Sequence, residues 1–515
     1  MKNNLETTPE TSSMSYPWIA DLGDGNYKNP VLHADYSDPD VIRHGDDFWM
    51  VASSFNCTPG LPILHSRDLV NWELVNHAIQ QVPHPRYAEV QPGCGVWAPS
   101  IRFHAGLFWV FFPMPDEGIY VTNTSDPRGN WAEPWLLQEA KGWIDPCPFW
   151  DDDGQAYLAH AYANSRSGKK ERIHIRPMSP DCRTLLSEGM EVFHTPHHLY
   201  LEGPKLHKLN GWYYILAPGG GVQTGWQVAF RSRSIWGPYE EKVILEQGTT
   251  DINGPHQGAL IDLENGDWWF MHFQDKGAFG RVVHLQPVHW ENDWPLAGVD
   301  HDGNGVGEPV LTWKKPAAGA DSPVRVPETS DEFFSNRLGL QWQWHANHQT
   351  DWASLSARPD WLRLMSRPLQ NNDLGRLPNF LGQKFPALGF TVETLLDFAN
   401  GSPGDIAGLA VLGGNGHAAI AVRKTEDGNE LVFIKDGELE SFGPCTSAQI
   451  RLKIQVSSIG ICRFLSATPN DAFAALARTF QATEGGWIGA KVGLFSASPS
   501  GVVTGSADFD YFRFS

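Results

Sequence analysis

Apolar positions in this chain fall in short runs with a period of two, interrupted by Gly, Asp, Asn and Pro. That pattern predicts strands, because successive side chains of a strand point to opposite faces. Over residues 1–310 the runs recur in a fixed order. A polar or small residue precedes a Pro, and further on a Gly-bearing turn opens into an aromatic-rich strand. The five copies begin at Asp38-Pro39, Ala98-Pro99, Asp145-Pro146, Glu202-Gly203-Pro204 and Asn253-Gly254-Pro255. Their strands are Phe48–Val51, Phe108–Phe111, Tyr157–Ala159, Tyr213–Leu216 and Trp268–Met271, preceded by Gly45, Gly106, Gly154, Gly211 and Gly266. The spacing is roughly 50–60 residues, the scale of a four-stranded propeller blade. Five copies in phase predict a five-bladed β-propeller.

A change of texture follows Trp313. Lys314 to Pro323 has the composition of a linker. Alternating runs then resume, including Ala419–Val422, Leu431–Ile434 and Ile450–Ile454, as in a β-sandwich of jelly-roll or concanavalin-like type. The final run, Ala507–Phe514, alternates and is expected in a sheet. The chain is therefore expected to be all-β, with residues 1–15 disordered, 16–313 forming the propeller, 314–328 a linker and 329–515 the sandwich. Trp342, Trp344, Trp352 and Trp361 are read as core or interdomain packing, with a sugar-binding face as the alternative.

Composition narrows the function. The chain carries 22 Trp, 27 Phe and 12 Tyr, rings that suit β cores and also the apolar faces of sugars. A net charge of −20 repels polyanions and argues against nucleic acid as a partner. Six scattered cysteines form no disulfide framework, zinc site or redox motif. No apolar stretch approaches membrane-spanning length, and the polar start does not read as a signal peptide, so a cytoplasmic location is expected. Oligomeric state is not legible.

The repeat also makes a statement about chemistry. The innermost strand of each blade lines the propeller axis, so equivalent positions at its start converge on one funnel. Those positions hold Asp38, Trp97-Ala98, Asp145, Glu202 and Asn253–His256. Three carboxylates from three blades would face one another. Inverting glycoside hydrolysis needs two carboxyl groups in opposite protonation states, about 6.5–9.5 Å apart, with a water between base and sugar. Apolar neighbours around Glu202 suit a general acid, Asp38 suits the base, and Asp145 would oppose ionisation of the acid. Each Asp-Pro alone is an ordinary turn; three acids at equivalent repeat positions favour the functional reading.

These segments resemble glycoside hydrolase family 43, the propeller enzymes that include β-xylosidases and α-L-arabinofuranosidases. The matching strings are Asn29–Leu32 leading to Asp38-Pro39-Asp40, Gly95–Pro99, Ile144-Asp145-Pro146, Glu202-Gly203-Pro204 and Phe279-Gly280-Arg281. The C-terminal part is similar to the sandwich of xylosidase-like members. The resemblance implies Asp38 as general base, Asp145 as modulator of acidity and Glu202 as general acid. It further implies Phe55 and Trp97 as walls of the terminal-sugar pocket and Arg281 as a binder of sugar hydroxyls. His256 matches an axial histidine that in some members ligates calcium or a water cluster, so Ca2+ is the one cofactor expected.

Two departures bear on specificity. Ile144 stands where the best-known xylosidases have an aromatic, and Ala217–Gly221 offers no side chain to a substrate. The expected activity is exo-acting, inverting release of terminal β-D-xylose, α-L-arabinofuranose or both from short hemicellulose-derived oligosaccharides. The alternatives are a glycan-binding propeller without catalysis and a retaining fructan-type hydrolase. The strings Ser37-Asp38-Pro39-Asp40, Ile144-Asp145-Pro146 and Glu202-Gly203 differ from the motifs of the latter.

Overall fold

A computed structural model describes residues 16–318, 322–499, 501 and 505–515. The stretch expected to be disordered, 1–15, lies outside the described residues, as do three residues of the expected linker. The molecule is all-β: a five-bladed propeller followed by a β-sandwich.

Each blade is a four-stranded antiparallel meander in sequence order. The innermost strands are Asp40–His44, Ser100–His104, Trp143–Trp150, Lys205–Leu209 and His256–Asp262. The second strands are Asp47–Val51, Leu107–Met114, Ala156–Tyr162, Trp212–Gly219 and Trp268–Asp275. All five aromatic runs of the repeat lie in these second strands. Their side chains fill the space between neighbouring blades, as where Trp49, Val51, Phe108, Val110 and Phe112 form one cluster.

The ring is closed by its own ends. Asn26–Lys28 pairs antiparallel with Thr312–Lys314, and Leu32 bridges Val283 of the fifth blade. Asn29 secures the closure, its amide donating to the carbonyls of Leu285 and Val310 at 2.8 Å each. Beneath the funnel, buried Asp40 accepts from Arg102 at 2.6 Å and from the Ile101 N–H at 2.8 Å. Lys205 of the fourth blade donates to Pro99 O and to Ser100 Oγ of the second. Polar groups here link blades across the axis, and mutual pairing offsets the loss of their hydration.

The sandwich packs an eight-stranded sheet on a seven-stranded one. Phe390–Asp397 shows the expected period of two, every second side chain being buried. Ser506–Phe514 departs from simple alternation. A bulge between the pairs Thr394–Phe512 and Leu396–Phe509 turns both Phe509 and Phe512 inward. The Thr394 hydroxyl donates to the Tyr511 carbonyl at this bulge. Trp342, Trp344 and Trp352 are buried in the sandwich core, and Arg358 stacks on Trp361, so these four do not form an open sugar-binding face.

The two units share a continuous interface. Thr58 and Trp344 exchange backbone hydrogen bonds, and Asn56 donates to His345 O at 2.6 Å. Gly280 and Gly489 touch backbone to backbone: a Cβ on Gly489 would lie 2.6 Å from Gly280 Cα. Asp35 sits in this seam and accepts from the N–H of Arg281 and of Gly489, at 2.9 Å each. The sandwich is thereby held against the rim of the funnel.

Candidate active site

Asp38 and Asp145 both lie on left-handed backbone, at φ 54° and 56°. Aspartate tolerates that conformation better than most residues. At Asp145 the strand bulges, the register shifting between Ile144 and Cys147. A second bulge lies at Gln257, between His256 and Gly258. Bulges re-aim side chains at sheet ends, and here they fall in the inner strands of the third and fifth blades.

The three carboxyl groups have different surroundings. Asp38 is buried and paired with Arg281 at 2.8 Å; Ser37 and Ser53 donate to its other oxygen at 2.9 and 2.6 Å. Asp145 is buried and accepts from the Gly203 N–H at 2.7 Å, gripping the backbone beside Glu202. Burial, partly offset by that hydrogen bond, raises the pKa of Asp145 above the usual carboxylate range, and Asp38 pushes it further. Glu202 accepts no hydrogen bond among the described residues, and 31% of its side chain stays open. Loss of hydration raises its pKa, and the charges of Asp145 and Asp38 add to the rise against the pull of Arg281. Asp38 thus has the partners of a carboxylate, whereas Glu202 is disposed to keep its proton.

His256 lies beside the acid, its Nε2 3.8 Å from Glu202 Oε1, too far for a hydrogen bond. Burial pushes its pKa down to about 3, so the ring is neutral at working pH, and neither nitrogen has a partner among the described residues. Calcium takes six to eight oxygen ligands. Among the described residues no group of three or more His, Cys, Asp or Glu is placed to hold a metal. The side chains here do not supply a calcium ligand set, and the chemistry below uses none.

Phe55 and Trp97 face each other with ring centroids 6.4 Å apart. Ile144 is buried in a small cluster with Ala161, Ala163 and Trp97, so the missing aromatic is replaced by support for Trp97. The preceding Trp143 stacks on His160 at 4.1 Å, away from the pocket. Gly220 and Gly221 both have positive φ in the hairpin opposite Glu202.

One wall was invisible in the sequence. Trp487, from the sandwich, lies 6.3 Å from Trp97 and 5.9 Å from the Arg281 guanidinium. It occupies left-handed backbone at φ 73°, as does Phe55 at 53°. Each such ring residue stores strain of about 1–3 kcal/mol, a recurrent property of binding sites. Trp487 and Arg281 border a cavity of about 180 Å3 shared with Asp275, Gln223 and Glu484. The only local hint is a Trp set among glycines, Gly485-Gly486-Trp487-Ile488-Gly489. Ser53 and Asp35, which orient Asp38 and Arg281, likewise carry no motif.

Three converging acids under aromatic walls, on a five-bladed propeller, define a carbohydrate-cleaving class of enzyme. Residues 27–295 match the glycosyl hydrolases family 43, and residues 330–515 match the beta xylosidase C-terminal concanavalin A-like domain. The chain is 33% identical over 553 residues to a beta-xylosidase of Formosa agariphila, covering 96% of this chain and 91% of that one. It is 28% identical over 544 residues to a non-reducing end alpha-L-arabinofuranosidase of Bacteroides ovatus, covering 96% of each. A solved family 43 protein of Bacillus licheniformis superposes with a TM-score of 0.81 at 25% identity, over 95% of this chain and 99% of that one. This chain belongs to glycosyl hydrolases family 43 and is a glycoside hydrolase.

Proposed function

We propose that the enzyme cleaves terminal β-D-xylose or α-L-arabinofuranose from short oligosaccharides, with inversion at the anomeric carbon. The observation that carries this reading is the opposed environment of Asp38 and Glu202. Asp38 is held by Arg281 and two hydroxyls; Glu202 is unbonded, partly open and raised in pKa. The relatives' names, a beta-xylosidase and an alpha-L-arabinofuranosidase, supply the two candidate sugars.

In this mechanism Glu202 gives its proton to the departing glycosidic oxygen. Asp38 takes a proton from the water that attacks the opposite face of the sugar. Asp145 holds the Gly203 N–H and opposes early loss of the proton from Glu202. Arg281 keeps Asp38 in place and turns its remaining donors toward sugar hydroxyls. Trp487 of the sandwich packs beside Trp97 of the propeller and walls one side of the pocket, which favours a chain end over a passing polymer.

The test is hydrolysis of aryl β-D-xyloside and aryl α-L-arabinofuranoside, with the first-formed anomer followed by NMR. The reading expects turnover of at least one pentoside and initial release of the inverted sugar. Initial retention, or silence on both from folded protein, would overturn it. The raised pKa of Glu202 further predicts that kcat/KM stays high through neutral pH. Its alkaline fall should lie above the range of an ordinary glutamate.

A further inference from the structure

Where the sandwich meets the propeller, beside the pocket, Cys57 Sγ lies 2.7 Å from Lys491 Nζ. That is closer than unbonded nitrogen and sulfur in van der Waals contact. Cys57 belongs to the loop that carries Phe55; Lys491 opens the strand Lys491–Ser498, four residues after Trp487. Both side chains are buried, Cys57 at 2% exposure and Lys491 at 8%.

A lysine this buried ordinarily faces a carboxylate. Among the described residues Lys491 has no ion pair, and its ammonium has no hydrogen-bond partner except the thiol. The nearby acid, Asp35, already accepts from two backbone N–H groups. The other groups facing this seam are His345 and Lys384. Burial pushes His345 down to about 3 and Lys384 down to about 8, with Lys491 adding to both effects. Two amines and one thiol thus share a dry seam without a free carboxylate.

We infer that Cys57 and Lys491 form an oxidisable cross-link site, at which dioxygen inserts one oxygen atom to give a nitrogen–oxygen–sulfur bridge. The step balances. The thiol and the amine each give up one hydrogen and two electrons, and dioxygen accepts all four electrons. One oxygen atom enters between nitrogen and sulfur; the other leaves as water with the two hydrogens. Two molecules of a dithiol reverse the step, their four hydrogens restoring amine, thiol and water. The bond joins the two chain segments that carry Phe55 and Trp487, so it staples the sandwich to the propeller next to the pocket. The inference stands on these two side chains and is independent of the sugar specificity proposed above.

Full-length protein reduced under argon and then held in air-saturated buffer tests this. Intact mass should rise by one oxygen less two hydrogens. A tryptic map should show the Cys57 and Lys491 peptides joined, with cleavage after Lys491 and alkylation of Cys57 both lost. Dithiothreitol should restore both. The oxidised form should resist thermal inactivation several-fold longer than the reduced form. Cys57→Ser, which keeps a hydrogen-bond partner for the amine, and Lys491→Arg, which keeps the charge, should show no such difference. Full alkylation of Cys57 after exposure, or a sulfenic or sulfinic Cys57 with normal cleavage at Lys491, would overturn the inference. The map of the parent protein decides this even if a variant fails to fold.

Discussion

Around the propeller axis, Asp38, Asp145, Glu202, Arg281 and His256 crowd together, two of them on left-handed backbone and one with both ring nitrogens unpaired. Between the sheets of the sandwich the buried side chains are of another kind: Ile420, Phe433, Phe464, Leu494 and Phe509. Burial of such apolar surface stabilises by about 25 cal/mol per Å2, whereas ionisable carboxyls gathered side by side out of water oppose folding. The two regions divide the work. The funnel gathers ionisable groups that folding alone would not select, and the sandwich contributes packing. Along their interface the loop Glu484 to Gly489 carries Trp487 from the sandwich to the pocket.

This division can be broken experimentally, most forcefully at the acids. Asp38→Ala should lower kcat/KM at least about a thousandfold on every substrate, without loss of fold. Glu202→Ala should match it on natural disaccharides but keep far more activity on aryl glycosides whose leaving groups need little protonation. Equal, mild losses from both changes would show that the funnel does not hold the acid and base. On the sandwich side, Phe464→Ala should destabilise by about 3–5 kcal/mol while kcat of the folded enzyme stays unchanged. Chemical denaturation and initial rates measure the two effects on one sample.

The loop where the regions meet sharpens the comparison. Trp487→Ala should raise KM about tenfold with little change in stability, since it removes a ring held on strained backbone. If Phe464→Ala lowered kcat as far as Trp487→Ala lowers affinity, the division would not hold. The last effect concerns pH. Folded Asp145 holds its proton beyond the usual carboxylate value, to about 7, so the folded state binds more protons than the unfolded one between those values. Its stability contribution is therefore full at acid pH and falls as pH rises through that window. Asp145→Asn removes the loss, and its stability relative to the parent should grow by about 3 kcal/mol from pH 4 to 7. Thermal melts across that range check the slope.

The propeller was legible because its blades solve the same packing problem five times, so the Pro and aromatic positions recur in register. The acids were legible for the same reason: Asp38, Asp145 and Glu202 stand at equivalent places in three copies. Ring closure was not, since the pairing of Asn26–Lys28 with Thr312–Lys314 joins segments that share no motif. Trp487 was hidden because its role arises from convergence across two domains. The bulge in Ser506–Phe514 was hidden too, because an inserted residue moves Phe512 to the inner face without altering the local composition. Local periodicity reports which face a residue prefers; it does not report which distant surface comes to meet it.

The ring closure also has a consequence for synthesis on the ribosome. All three acids have been made by the time Glu202 emerges, yet the ring cannot close until Thr312–Lys314 follows. The seam that holds the sandwich loop to Asp35 is not available until Gly489 has been added. A growing chain thus carries its acids well before it has a walled pocket, which is complete only once Gly489 has been added.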